Sequence, residues 1–410
     1  MSDTILAGAP ARQASQPSAQ TPRPVLGNGL ILAMAATTGL AVANIYYNQP
    51  MLGLIETSMP GALTALVPTV TQLGYALGLF LLVPLGDRVE RRGLIVLQFL
   101  LLSVALVLAA VAPSPALLLG ASLVLGALAT VAQQIVPFAA HLAPAERSGA
   151  VIGKVMAGLL CGILLSRTLA GFVAEHAGWR AMFWLGVPLA LIAAAILRAM
   201  LPTSRAKGDH HGEGPSYGQL LVSLWHLWRR HRALRLATFT QGLLFAAFSA
   251  FWSILALRLA QVGEGAGVAG LFGVIGAVGI LAAPMAGHVA DKRGPHATIV
   301  VGVALMVVAW IIAMTFSGVV GLALACVVLD LAVQSALISH QHIVYALDQG
   351  ARARLNTLFM GGMFLLGAAG SALAALAWHG AAWTGVSVLG LALGVGAGLV
   401  NWLARRPQAS

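Results

Sequence analysis

Apolar residues in this 410-residue chain gather in long blocks separated by short polar stretches. They do not form the apolar stripe of a soluble amphipathic helix or the alternation of a half-buried strand. Each block runs for roughly 20 to 25 residues, the length a helix needs to cross a ~30 Å hydrocarbon layer at 1.5 Å per residue. Six blocks lie at roughly 27–50, 63–86, 93–112, 115–140, 147–175 and 179–201, and six more at roughly 233–260, 266–290, 295–316, 318–347, 351–379 and 381–403. Between the two sets lies a polar stretch, 202–232, with His210, His211, Glu213, Pro215 and the basic run Arg229, Arg230, Arg232. The pattern predicts an all-α membrane protein of twelve transmembrane helices. It divides into an N-terminal tail (1–26), a six-helix bundle (27–201), a linker (202–232), a second six-helix bundle (233–403) and a short tail (404–410).

Composition supports this reading, with 59% hydrophobic and 9% charged residues and a mean hydropathy of +0.89. The net charge of +11 could suggest nucleic acid. The basic residues, however, sit in loops, with no basic helix carrying interleaved aromatics of the kind a nucleic-acid face requires. All but three of the 23 fall on one predicted side, in the tails, the linker and alternate loops; Arg180 and Arg258 lie opposite, and Arg167 lies inside a span. Lys and Arg accumulate on the cytoplasmic side, so both termini are expected there, in the cell inner membrane. The first 24 residues, rich in Ala, Pro, Ser and Gln, read as a disordered tail rather than a cleaved signal. Cys161 and Cys326 both lie in apolar blocks and read as packing residues, so neither a disulfide nor a cysteine metal site is expected.

A short motif occurs twice. Leu85-Gly86-Asp87-Arg88-Val89-Glu90-Arg91-Arg92 follows the second block, and Gly287-His288-Val289-Ala290-Asp291-Lys292-Arg293-Gly294 follows the eighth, about half the chain later. Internal duplication accounts for both positions. These residues resemble the loop between the second and third helices of the major facilitator superfamily, Gly-x-Leu-Ala-Asp-Arg-x-Gly-Arg-Arg. Val83 and Glu90 stand where that pattern has glycine, and Pro295 and His296 replace the second copy's basic pair. The resemblance implies the major facilitator fold of two pseudo-symmetric six-helix bundles, and a secondary transporter working by alternating access. It assigns a gate to Asp87, Arg88, Arg91, Arg92, Gly287, Asp291 and Lys292, with the loop acid meeting the start of the eleventh span near Ala351 to Asn356. The alternative is that the motif only fixes topology and tight turns.

The fifth block is similar to the glycine pattern of drug/proton antiporters at Gly149, Gly158 and Gly162, with Ile163 in place of its proline and Ser166-Arg167 in place of its last glycines. Ordinary close helix packing explains the same glycines. Asn44-Ile45-Tyr46-Tyr47-Asn48-Gln49-Pro50, Ser166-Arg167-Thr168 and Asp330-Leu331-Ala332-Val333-Gln334 resemble the bacterial sugar, nucleoside and drug efflux permeases. That branch implies proton-coupled efflux of a small organic molecule; proton-coupled uptake or facilitated transport remains the alternative.

Ionisable groups inside a span cost about 2.5 to 3.5 kcal/mol on insertion scales and need a reason. Asp330, about twelve residues into the tenth block, is a candidate proton or substrate site; a structural hydrogen bond or an ion pair with Arg167 is the other reading. Arg167 could bind an anionic group or hold Asp330 ionised. His340, near the end of the same block, could relay protons. Asn44, Tyr47, Asn48 and Met51 recur at helical spacing and could face a central cavity. Gln72, Gln133, Gln134, Gln241, Trp252, Gln334 and Asn356 add further hydrogen-bonding and aromatic groups. Such a pocket suits a neutral or amphipathic organic molecule, although interhelical hydrogen bonding explains many of these residues equally well.

The rival class is a membrane-embedded enzyme. His-Glu-x-x-His and the phosphate loop Gly-x4-Gly-Lys do not occur in the sequence, and Gly-x-Ser-x-Gly occurs only at 214–218, in the polar stretch between the two sets of blocks. No cofactor, metal or nucleic-acid partner is therefore expected. The partners implied are a small-molecule substrate, protons and the lipid bilayer, with the chain working as a monomer.

Overall fold

The computed structural model describes residues 27–144, 147–203, 216–276 and 294–405, except for the side chains at 87, 349, 404 and 405. The predicted N-terminal tail, residues 406–410, His210 and His211 of the linker, and Gly287, Asp291 and Lys292 of the second motif copy lie outside the described residues.

Helices account for every predicted block that is described. In the first half, α1 (Asn28–Ala43) and α2 (Asn48–Ser58) form the first crossing, α3 (Val67–Leu81) the second and α4 (Arg91–Ala110) the third. The fourth is α5 (Pro115–Ala129) with α6 (Val131–Leu142), followed by α7 (Ser148–Ala177) and α8 (Trp179–Met200). After the linker helix α9 (Tyr217–Arg230), the second half comprises α10 (Arg232–Gln261), α11 (Ala266–Gly276), α12 (Pro295–Thr315), α13 (Val319–Ala346) and α14 (Arg352–Arg405). Among the described residues, ten stretches are long and apolar enough to cross a membrane. The α14 stretch holds two predicted spans, because its backbone leaves the helix at Ala381 and Ala382, where Ala382 has φ +47°. The eighth block is described only where it begins, as α11.

Local chemistry explains the breaks. Pro50 stands in the first turn of α2, where its missing N–H costs no helical bond, so α2 starts afresh and the chain turns through 44–47. Asn44 Nδ2 donates to the Leu40 carbonyl at 2.8 Å, meeting an acceptor that this break frees. Gly178, at φ +83°, reverses the chain between α7 and α8 in one residue, a conformation glycine adopts without steric penalty.

The predicted polar linker is helical over its last part. Leu221, Leu224 and Leu227 of α9 pack towards the bundle, and a Ser216–Gln219 capping box starts the helix. Arg235 Nη1 closes its other end on the Trp228 and Arg229 carbonyls at 2.7 and 2.6 Å. We call the face carrying α9 the linker side, and the opposite face the loop side.

Helix pairing repeats between the halves. In the first half α1 packs on α7 and α4 on α8. Gly158 and Gly162 of α7 lie against the backbone of Ala35 and Gly39, so these glycines of the antiporter-like pattern serve close helix packing. In the second half α10 packs on the first part of α14 through Gly362, Gly367 and Gly370. α12 packs on the second part through Gly390, Gly394 and Gly398. First with fifth and third with sixth thus become seventh with eleventh and ninth with twelfth. Large apolar side chains cover the outside all round, including Leu32 on α1, Ile192 on α8, Val320 on α13 and Leu376 on α14, as a lipid-facing surface requires.

Candidate functional site

The halves enclose a cavity of about 390 Å³, within the size range of small-molecule sites. Its lining is lopsided. It reaches Tyr345 at the linker-side end of α13 and Asn356 one turn into α14, but stops at Arg167 on α7 and Asp330 on α13, about ten residues short of the loop-side helix ends. Beyond that level the halves close on one another. Thr168 Oγ1 donates to the Gly270 carbonyl at 3.1 Å, and Gly171 of α7 meets the α11 backbone at Ala266 and Gly270.

Among the described residues lining the cavity, Arg167 and Asp330 are the only charged ones. The Arg167 guanidinium lies between two rings, 4.5 Å from the Tyr46 centroid and 3.9 Å from that of Trp252. Its Nε donates to Gln49 Oε1 at 2.9 Å, while Nη2 is buried with no hydrogen-bond partner among the described residues. Asp330 lies near Trp252: a Cβ added to Gly276 would stand 3.1 Å from its Oδ2 and 3.3 Å from Trp252 Cζ2. The nearest polar contact of Asp330 is the Cys326 thiol, 3.6 Å from Oδ2. Arg167 and Asp330 therefore share a wall without forming a direct ion pair. Glycines at 273 and 276 of α11 leave the room both side chains occupy.

A row of aromatic rings continues from this centre. Trp252 meets Phe248 at 6.1 Å between centroids, Phe248 stacks on Phe245 at 5.5 Å, Phe245 meets Phe364 at 4.9 Å, and Phe364 meets Tyr75 at 4.5 Å. Met156, Met360 and Met363 add apolar surface. Polar groups on the lining are mostly engaged already: Gln133 Nε2 donates to the Tyr75 hydroxyl at 3.1 Å and Tyr345 donates to Asn356 Oδ1 at 2.8 Å.

Of the residues singled out by sequence, Arg167, Asp330, Gln133, Gln334 and Asn356 come together on this lining, and Trp252 stands behind Arg167. The others go elsewhere. The Asn44, Tyr47, Asn48 stripe does not face the cavity, because the break at 44–47 turns Tyr46 inward instead. Asn48 donates to Thr71 Oγ1 at 2.8 Å, and Tyr47 and Met51 are buried in packing. Gln72 accepts from Ser249 at 3.0 Å across the halves, and Gln134 donates to the Leu82 carbonyl at 3.2 Å. His340 Nδ1 lies 3.1 Å from Gln241 Oε1 and 2.9 Å from the Ala336 carbonyl, packed inside the second half. Sequence reasoning missed Tyr46, Gln49, Tyr75, Phe245 and Phe248. Gln241, Phe245, Phe248 and Trp252 recur every three to four residues along α10, a stripe whose ends alone were noted.

The motif loop lies on the linker side across from the start of α14. Val83, Gly86, Arg91, Ala353, Arg354 and Thr357 share a small cavity of about 100 Å³ with Leu220 and Leu224 of α9. Glu90, which replaces a motif glycine, caps α4 by accepting from Gly93 N at 2.7 Å. Arg91 Nε donates to the Gly86 carbonyl at 3.1 Å, and Arg92 Nη1 to the Leu201 carbonyl beyond α8 at 3.2 Å. Arg88 is exposed. These arginines tie the loop to helix ends, and the Asp87 side chain lies outside the description.

Comparison with known proteins agrees with this architecture. The chain is 39% identical over 387 residues to the uncharacterized transporter YgaY of Escherichia coli O157:H7, covering 93% of this chain and 97% of that one. It is 34% identical over 380 residues to the transporter SCO4007 of Streptomyces coelicolor, covering 90% and 86%. Among solved structures it resembles a bacterial homologue of the human lysosomal transporter Spinster in an inward-facing conformation, with a TM-score of 0.73 at 16% identity over 93% of this chain and 98% of that one. It also resembles the xylose transporter XylE of E. coli, with a TM-score of 0.70 at 15% identity over 93% and 98%. Residues 29–347 match the sequence profile of the Major Facilitator Superfamily. With its two helical bundles around a central cavity, the chain is a membrane transporter for a small molecule and belongs to that superfamily.

Proposed function

We propose that the protein is a proton-coupled exporter of a small organic molecule, working by alternating access in the cytoplasmic membrane. The observation that carries this reading is the unpaired placement of Arg167 and Asp330 in one cavity wall, at the level where the halves close. Arg167 cannot lose its charge, whereas Asp330 can take up or release a proton as substrate leaves or arrives. The basic loops and linker support a cytoplasmic linker side, with both termini on it. The cavity lining then extends towards the cytoplasm, and the α7–α11 contact is the closed outer gate. Residues 27–201 and 233–403 move as the two rocking bodies of a monomer, joined by 202–232, and the motif loop beside α14 forms the inner gate on the opposite swing.

The aromatic and methionine wall favours an amphipathic cargo over a polyhydroxylated one, which would need many hydrogen-bond partners. This separates the chain from the sugar transport named for XylE, with which it shares a fold. Transport in everted membrane vesicles tests the proposal. Under an imposed acid-inside gradient, a transported compound should collapse that gradient through the wild type and leave it intact through Asp330→Asn. Compound entry that leaves the gradient untouched would refute proton coupling, and compound-driven movement in the opposite sense would mark uptake.

A further inference from the structure

We infer that Arg167 receives the anionic group of the cargo, so that the transported class is organic acids: a carboxylate on an apolar body about the size of an aromatic ring with a short chain. This deepens the proposal above and rests on its reading of the cavity, but it depends on neither proton coupling nor direction.

A guanidinium has five N–H donors in a fixed fork and keeps its charge at any physiological pH. At Arg167 one donor is met by Gln49, and the two faces are covered by Tyr46 and Trp252. Nη2 is buried and unpartnered, and no carboxylate lies within ion-pair distance among the described residues. A buried cation with donors left over is a costly arrangement, and a purely structural one would be closed by an acid within reach. Asp330 stands in the same wall but faces the Cys326 thiol instead. The rings and Gln49 hold the guanidinium in place, so a carboxylate that reaches it as the halves move meets a donor already oriented and unpaired, as charge-assisted recognition of a carboxylate requires.

The sign of the cargo follows from the asymmetry between the two charged groups. Asp330 can be neutralised by a proton, so it does not oblige the substrate to carry a positive charge. Arg167 cannot be neutralised and is always short of an anion. The remaining wall sets the body of the ligand, because Tyr75, Phe245, Phe248 and Phe364 form a continuous aromatic surface leading away from Arg167. In a cavity of about 390 Å³ this leaves space for one ring system and a chain.

The test is equilibrium binding to the purified full chain, read by thermal stabilisation and by tryptophan fluorescence. The probes are matched sets of 4-phenylbutyrate, 4-phenylbutyramide and 4-phenylbutylamine, and their naphthyl counterparts. The wild type should prefer the carboxylates over the amides by about tenfold or more, the effect of one charge-assisted hydrogen-bond pair. Arg167→Gln should erase that preference, and Arg167→Lys, which keeps the charge but loses the fork, should reduce it. Asp330→Asn removes a like charge from the same wall and should bind the carboxylates more tightly than the wild type, even where it abolishes proton coupling, so the two proposals fail separately. Amides or amines binding as well as the carboxylates, or no preference across the series, would overturn the inference. The wild-type comparison decides this even if the Arg167 variants do not fold.

Discussion

Asp330 and His340 stand ten residues apart on α13, both in an apolar helix and both expensive to place in a bilayer. Their surroundings differ. His340 is engaged within one half: its Nδ1 faces Gln241 Oε1 and the Ala336 carbonyl, and Gln241 Nε2 in turn donates to the Val333 carbonyl at 3.3 Å. Asp330 lines the cavity, with a weakly donating thiol as its nearest polar neighbour and the fixed cation Arg167 in the same wall without direct contact. A polar group satisfied within one half can stay unchanged while the halves rock. A polar group that faces the space between the halves has its partners changed by every transport cycle. Completeness of hydrogen bonding, rather than burial, separates a structural residue from one able to do work.

The contrast makes Asp330→Asn the most damaging change to function and among the mildest to the fold. Transport driven by a pH gradient should fall to the level of empty vesicles, while purified protein should melt at or slightly above the wild-type temperature, since a buried charge is replaced by a neutral isostere. A variant that still exchanges protons with cargo would remove Asp330 from the mechanism. His340→Ala should behave the opposite way. Truncating the imidazole leaves the Gln241 carboxamide short of a buried partner and opens a void beside Phe359. That should cost about 2 kcal/mol of stability, with transport per folded molecule unchanged. Denaturation in detergent together with flux per inserted protein distinguishes the outcomes, and a selective loss of flux would place His340 in a proton path.

Much of the fold could be read from the sequence because a bilayer leaves the chain few options. Each apolar block long enough to span must be a helix, since lipid offers no partner for an unpaired backbone group. The same logic hid what happens inside a block. Pro50 signals a helix start, yet where it falls within an apolar stretch it decides that Tyr46, rather than Asn44 or Tyr47, faces the cavity. Asp330 and Arg167 could be singled out because charge in a span is costly wherever it points. The glutamines could not be sorted, since Gln72, Gln133 and Gln241 have identical chemistry and differ only in which neighbour reaches them first. α9 was obscured by the charged residues at its end, although its leucines already recur at helical spacing.

The smallest expected effect concerns polar contacts that cross between the halves, intermediate between the two residues on α13. Thr69 of α3 donates to Ser371 Oγ at 2.8 Å, and Ser371 pairs with Ser253 of α10 at 2.7 Å, so three hydroxyls join the bundles towards the loop side. These bonds are made in this conformation, as those at His340 Nδ1 are, but they link bodies that must move apart, as the surroundings of Asp330 do. Ser371→Ala should cost only about 0.6 kcal/mol, the average for interhelical hydrogen bonds in membranes. Its sign on transport depends on whether the chain survives the swing. If the hydroxyls part when the cavity opens to the loop side, the variant favours that state, and a cysteine probe on the loop side of the cavity should label faster than in the wild type. If labelling is unchanged, the three hydroxyls stay together throughout the cycle and mark the axis about which the halves turn.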